Sequence, residues 1–221
     1  MKQFGSQYTI NFNIILFMLS HFTIFDVETN GLFPNSHSVL SFSALYVNTW
    51  RSNGNRHFQV QEEFDRYYYP TEPYNPKAIR VNGLTPDVIN DRRQHSRENY
   101  PLHFTQDKDV PIFCQQTDLA VCHNTPFDAK FLNYAHDQEF PKSFCTMRNL
   151  TEYCAIPHNF YGIKWPKLEE AVQIICGRDD FAFHDSLADC YAVLEILKIM
   201  ANSTKSCGEY RWANIFDDLF C

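Results

Sequence analysis

The sequence has no Cys-x-x-Cys pair, no internal repeat, no domain linker and no long polar tract. Its 8 cysteines stand apart, at positions 114, 122, 145, 154, 176, 190, 207 and 221, which argues against a zinc ribbon or a dithiol redox centre. Several sit in apolar runs as small buried hydrophobes, a usage that fits a reduced cytoplasmic compartment better than secretion. Positive charge is also scarce: 19 Lys and Arg stand against 26 Asp and Glu, a formal net charge of -7. A broad basic surface for gripping nucleic acid does not fit that balance, so any such grip has to be local.

Long apolar runs are missing as well. The segment Ile14 to Leu19 is too short to span a bilayer. It lacks the flanks of a signal peptide, because Lys2 is the only charge before it and no clear small-residue cleavage site follows. No membrane partner is expected. Apolar patterning resumes at Phe22 and Met18 offers an alternative start, so residues 1–17 read as dispensable and residues 1–21 as an N-terminal extension. What remains is 44% hydrophobic and 16% aromatic over the whole chain, enough for a single domain, here assigned to residues 22–202 with a C-terminal tail at 203–221.

Within that domain, Phe22 to Glu28, Ser38 to Thr49 and Phe58 to Tyr69 read as strands. Ser52-Asn53-Gly54-Asn55 supplies hairpin-turn chemistry between the last two. After Asn75 the texture changes to short helical pieces, then a strand at Leu119 to Cys122, a helix at Thr125 to His136 and a strand near Ser143 to Thr146. Helices near Pro166 to Cys176 and Asp185 to Asn202 complete the pattern. The charged stretch Asp91 to Asn99 has almost no apolar anchor and is expected to be a mobile loop. An antiparallel meander followed by alternating strands and helices implies an α/β fold, a mixed sheet flanked by helices.

The chemistry concentrates in acidic residues placed where cores are built. Side chains alternate along a strand, so Asp26 and Glu28 share the face of Phe22 and Ile24, roughly 7 Å apart. On the last helix Asp189 falls in one stripe with Val193, Ile196, Leu197 and Met200, while Tyr191, Glu195, Lys198 and Asn202 take the opposite side. Asp128 likewise shares a stripe with Phe131, Leu132 and Ala135. A buried aspartate is costly without donors, a proton or a cation. Either aspartate alone fits a structural hydrogen-bond network; together with Asp26 and Glu28 they fit hard oxygen ligands for Mg²⁺ or Mn²⁺. His184, just ahead of the last helix, is suited to taking a proton near neutral pH, or is simply the neighbour of an N-cap at Asp185.

The segments FTIFDVETNG, VCHNTPFDAKFL and HDSLADCYAVLEIL, taken in that order over residues 22 to 200, resemble the three motifs of the DEDDh, or DnaQ-like, 3′–5′ exonucleases. That family includes the proofreading epsilon subunit of bacterial DNA polymerase III and ribonuclease T. Pro76 to Val88 and KWPKLEEAV resemble its intervening segments; Val27 and Asn30 depart from it, standing where threonines are common.

The resemblance implies a ribonuclease H-like fold, with Asp26, Glu28, Asp128 and Asp189 as ligands of two Mg²⁺ ions, Mn²⁺ being an alternative, and His184 as general base. The implied reaction is hydrolysis of the terminal phosphodiester at the 3′ end of a single-stranded nucleic acid, releasing nucleoside 5′-monophosphates. DNA proofreading or repair and RNA 3′-end trimming both remain open, as does a noncatalytic binding module on the same fold.

Several neighbours carry two readings each. Lys164 and Lys167 flank Trp165, either as a strand-holding platform with a stacking indole or as a solvated basic edge beside a core tryptophan. His123 and Asn124 either orient Asp128 or the terminal nucleotide, or Asn124 caps the helix. Leu32 and Phe33 either wedge against the last base or pack as ordinary loop residues. The terminal NIFDDLFC loosely resembles clamp-binding peptides, which would make a sliding clamp or DNA polymerase a partner, or else docks on its own core.

Overall fold

The computed structural model describes residues 19–203 except 118 and 161, together with the backbone of two short strands at Ser206–Cys207 and Tyr210–Arg211. The expectations for residues 1–17 and for the NIFDDLFC segment lie outside the described residues. Strand β1 (Leu19–Thr29) occupies the middle of a five-stranded sheet of order β3-β2-β1-β4-β5. β2 (Val39–Ser52) runs antiparallel to it, and β3 (Asn55–Tyr67) antiparallel to β2. β4 (Leu119–Cys122) lies parallel to β1 and β5 (Lys142–Cys145) parallel to β4. This is the mixed sheet with flanking helices expected of a ribonuclease H-like fold.

Local chemistry explains the joints. The β2–β3 hairpin turns through Asn53 and Gly54, both at positive φ (51° and 80°), the pairing that a tight hairpin with native twist requires. Among the described residues eight α-helices follow: α1 (Pro76–Asn82), α2 (Pro86–His95), α3 (Asp109–Cys114), α4 (Thr125–His136), α5 (Thr146–Asn149), α6 (Thr151–Cys154), α7 (Leu168–Cys176) and α8 (Ser186–Asn202). A small hairpin of β6 (Pro157–His158) and β7 (Gly162–Ile163) precedes α7. Proline opens α1, α2 and α4 within their first turns, where its missing N–H costs nothing.

The alternation of β1 divides the core in two. Phe22 and Ile24 pack in one cluster with Val193, Ile196, Leu197 and Met200 of α8 and Val172 of α7. Phe25 and Val27 pack in the other with Phe131 and Leu132 of α4 and with Tyr68, Phe104 and Val110. Asp26 and Glu28 therefore continue the α8-facing side, at the end where the chain leaves the sheet. A register shift at Glu28/Thr29, where Thr29 pairs with Val39, bends the strand there.

One expectation is corrected. Asp91 to Asn99 is not a loop throughout: its first half is the end of α2, and only residues after His95 leave the helix. Thr85 caps α2 by accepting the Val88 N–H at 3.2 Å, and Ile89 is fully buried. Arg93 then donates to the carbonyls of Tyr67, Tyr100 and Pro101. Guanidinium hydrogen bonds supply the anchoring that the missing apolar residues do not.

Candidate active site

Three parts of the chain deliver carboxylates to one cleft of 870 Å³: the end of β1 (Asp26, Glu28), the first turn of α4 (Asp128) and the first turn of α8 (Asp189). β1 and β4 run in the same direction, so the end of one and the helix following the other emerge at the same sheet edge. That is where open α/β sheets place their sites. Asp128 is 2% exposed and Asp189 8%, as their helical stripes predicted; Asp26 and Glu28 keep more contact with solvent.

Part of Asp128 and part of Asp189 are satisfied by backbone. Asp128 Oδ1 accepts the N–H of Val27 at 3.2 Å, which ties α4 to β1 between the two acidic residues of the strand. Asp189 Oδ2 accepts the N–H of His184, also at 3.2 Å. Asp189 Oδ1, by contrast, is buried and has no hydrogen-bond partner. Ligand atoms of Glu28, His184 and Asp189 lie within 4.8 Å of one another. His184 itself is solvent-exposed and sits at φ 68°, a left-handed turn that brings its backbone over the start of α8; Asp185 is the N-cap, accepting the Ala188 N–H at 3.1 Å.

The electrostatics follow from crowding anions at low exposure. Burial, reinforced by Asp128, Asp189 and Glu28, pushes the Asp26 carboxyl well above the ordinary range. Burial and then Asp189 push Glu28 up to about 8, although Asn82 of α1 lowers it by hydrogen bonding. Burial pushes Asp128 up to about 8 against the Val27 N–H, and Asp189 to about 7 against the His184 N–H. Four carboxyls resist ionising together, and one oxygen of Asp189 is buried without a partner. Hard oxygen donors in that state fit a divalent cation, which would hold them ionised.

A family model described as Exonuclease, of the RNase T type, matches residues 23–197. The chain belongs to the DnaQ-like 3′–5′ exonuclease family. Among curated relatives, the DNA polymerase III subunit epsilon of Rickettsia conorii is 33% identical over 113 residues, covering 50% of this chain and 42% of that protein. The corresponding subunit of Pasteurella multocida is 22% identical over 195 residues, 83% of this chain and 69% of that one. A crystal structure of E. coli exonuclease I in complex with a dA16 oligonucleotide has the same fold, with a TM-score of 0.59 at 18% identity over 91% of this chain and 43% of that chain. The chain thus spans less than half the length of two of these three relatives.

Around the four carboxylates, the remaining expected residues are distributed unevenly. Leu32, Trp165, Lys167 and Asn124 line the cleft; Lys164 does not, its ammonium being held by Glu170. Trp165 is 60% exposed, so it is not a core tryptophan, and the Arg148 guanidinium lies 6.0 Å from its ring. Leu32 and Phe33 project at 63% and 61% exposure, and the Leu32 carbonyl accepts Lys130 Nζ at 2.8 Å. Asn124 is at the N-cap position of α4 in left-handed geometry (φ 84°), but its side chain makes no capping bond. His123 is bolted to the scaffold, with its ring nitrogens 2.9 Å from Thr146 Oγ1 and from the Pro166 carbonyl. Burial lowers it to about 4, so it is a neutral brace between β4 and the approach to α7.

Sequence reasoning missed His37, Lys77, Asn82, Phe127 and Met147, which also line the cleft. For Asn82 a signal existed in the Asn-Gly-Leu-Thr-Pro run that ends α1 and opens α2. Asn30 proves structural: fully buried, its Nδ2 donates to Glu72 Oε1 at 2.7 Å and to the Pro73 carbonyl at 3.0 Å, and its Oδ1 accepts the Asn75 N–H at 2.8 Å. A separate 330 Å³ cavity bordered by His37, Glu72 and Tyr134 contains none of the carboxylates of the cluster. Among the described residues no helix is long and apolar enough to cross a membrane.

Proposed function

We propose that this chain is a metal-dependent exonuclease that removes nucleotides from the 3′ end of single-stranded DNA, or from frayed 3′ ends, as nucleoside 5′-monophosphates. The observation that carries the reading is the buried, unpartnered Oδ1 of Asp189 within a cleft that also gathers Asp26, Glu28, Asp128 and His184. Asp26, Glu28, Asp128 and Asp189 would hold two Mg²⁺ ions, or Mn²⁺. When bound, these ions supply positive charge for the scissile phosphate and the departing 3′ oxygen. His184 takes the proton of the attacking water; its solvent-exposed position at the cleft gives the imidazole access to that water. Trp165, Leu32 and Phe33 offer apolar surface to unstacked terminal bases, and Lys167 and Lys77 are the cleft's cationic contacts for the strand.

DNA is favoured by the relatives, among them an epsilon subunit of a DNA polymerase and an exonuclease crystallised with a deoxyoligonucleotide. The first of these names makes a DNA polymerase the proposed assembly partner, and the likeness of NIFDDLFC to clamp-binding peptides adds a sliding clamp. Six unpaired thiols among the described residues suit a reducing compartment such as the cytoplasm.

The test is direct. The full chain is incubated with 5′-labelled single-stranded DNA and, separately, RNA, in Mg²⁺, in Mn²⁺ and in chelator. A ladder shortening from the 3′ end of DNA, abolished by chelator and by Asp26→Ala, is expected. Faster shortening of RNA would reassign the sugar, and intact oligonucleotides under every condition would leave a noncatalytic binding module.

A further inference from the structure

Helix α2 does more than cover the sheet edge. Its mounting is rigid: Ile89 is fully buried, and Arg93 donates to three backbone carbonyls at the end of β3 and in the segment after α2 while lying 4.3 Å from the Tyr100 ring. From this mount Arg92 reaches across 93 residues of sequence to Asp185, its Nη2 donating to Oδ2 at 3.1 Å. The Tyr67 hydroxyl donates to the same oxygen at 3.4 Å, and the Arg92 guanidinium lies 5.4 Å from the Tyr67 ring. The other oxygen of Asp185 caps α8 through Ala188. Asp185 therefore joins three elements while standing directly beside His184 in the chain.

Asp185 also stands in a field of anions. Its charge helps to raise the carboxyls of Asp26, Glu28, Asp65 and Asp189, behind burial as the leading cause. Arg92 is the positive charge on this flank, opposing Asp185 at Asp65 and at Tyr67. A half-exposed ion pair adds little to global stability, so the consequence of this contact is local. What it fixes is one side of the turn carrying His184: the Asp185 N–H on the Ala182 carbonyl at 3.2 Å and the His184 N–H on Asp189 hold the turn to itself and to α8, whereas Arg92 ties it to α2.

We propose that Arg92 is a positioning residue that holds the His184 turn in place by pinning Asp185; this rests on the reading of His184 as the general base. Arg92 and Asp185 do not touch the substrate. Their effect is on how often the imidazole stands where the proton is released, which changes kcat rather than KM.

The experiment compares the full chain with Arg92→Gln, Arg92→Lys, Asp185→Asn and the double variant Arg92→Gln/Asp185→Asn. Asparagine caps a helix as well as aspartate does, so Asp185→Asn removes the ion pair while α8 keeps its cap. Expected are a kcat on single-stranded DNA lowered about tenfold in Arg92→Gln and in Asp185→Asn, with KM unchanged, and a double variant no worse than either single one. Arg92→Lys recovers most of the loss. Independently of catalysis, hydrogen exchange of residues 182–188 accelerates in Arg92→Gln while β1 and β2 exchange as in the parent. Additive losses in the double variant, or unchanged kcat and unchanged exchange, would overturn the proposal. A parent chain without nuclease activity overturns the exonuclease reading instead; the pinning of the turn then falls only if exchange at 182–188 is also unchanged.

Discussion

The backbone N–H of His184 donates to Asp189 Oδ2 at 3.2 Å, so the candidate base and a candidate metal ligand five residues later are parts of one turn. This bond uses the main chain and leaves the imidazole free to face solvent. Replacing the ring therefore separates proton transfer from ligand geometry. His184→Ala is expected to lower kcat by about 10²–10⁴-fold, the usual worth of a positioned general base. The rise in Tm on adding Mn²⁺ should persist, because all four carboxylates remain; a variant that lost both together would show that the ring, not only the turn, builds the site.

The carboxyl cluster makes stability depend on pH in a direction opposite to that of most acidic residues. Glu28 and Asp128 are pushed up to about 8 and Asp189 to about 7, so the folded chain holds protons that the unfolded chain releases near pH 4. Between pH 4 and 8 the native state binds more protons, and metal-free stability falls as pH rises through this window. Divalent ions compete with those protons. Thermal melts at pH 5 and pH 8 should show a metal-free Tm that drops with pH and a Mg²⁺-dependent gain that grows with it; a gain larger at pH 5 would contradict the cluster.

Trp165 tests how the strand is held. Stacking on an exposed indole contributes about 1–3 kcal/mol per base, so Trp165→Ala should raise KM roughly tenfold. Its Tm should hardly move, since the ring is mostly exposed. Lys167→Ala should weaken binding and Lys164→Ala should not, because each ammonium pairs with a neighbouring glutamate but only Lys167 lines the cleft. Binding isotherms on the Asp26→Ala background would rank the three.

Asn30 is expected to matter for folding before chemistry. Its amide joins the end of β1 to Glu72, Pro73 and Asn75, and Glu72 in turn accepts the Ser38 N–H at 2.8 Å and hydroxyl at 2.6 Å. Asn30→Ala strands these groups and should cost about 2–4 kcal/mol in urea unfolding. These bonds also hold the Glu72 carboxyl down at about 2, so its contribution is present above the ordinary carboxylate range and disappears as pH falls toward 2. An unfolding midpoint unchanged in Asn30→Ala would make this bracket dispensable.

Much of the site was legible because strand and helix periods are rigid. Alternation along β1 places Asp26 and Glu28 on the α8-facing side, and the 3.6-residue period turns Asp128 and Asp189 inward, whatever else the chain does. Residues whose role depends on distant partners were not legible. Asn30 reads as a departure from a motif until Glu72 and Asn75 arrive beside it. The charged run after Asp91 reads as a loop because an anchor made of arginine bonds to carbonyls leaves no apolar pattern.

What the amino-acid order determines alone is local: which side chains share a face, where Asn53-Gly54 turns the chain, and that four acids stand where apolar residues would be expected. Tertiary structure decided which of those faces meet. Only the parallel alignment of β1 with β4 brings α4 to the end of β1, and only the mounting of α2 on β3 brings Arg92 to Asp185. The physical reason is range: periodicity acts over a few residues, whereas the meeting of groups 101 positions apart, as of the Val27 N–H and the Asp128 carboxylate, is set by how the buried faces pack.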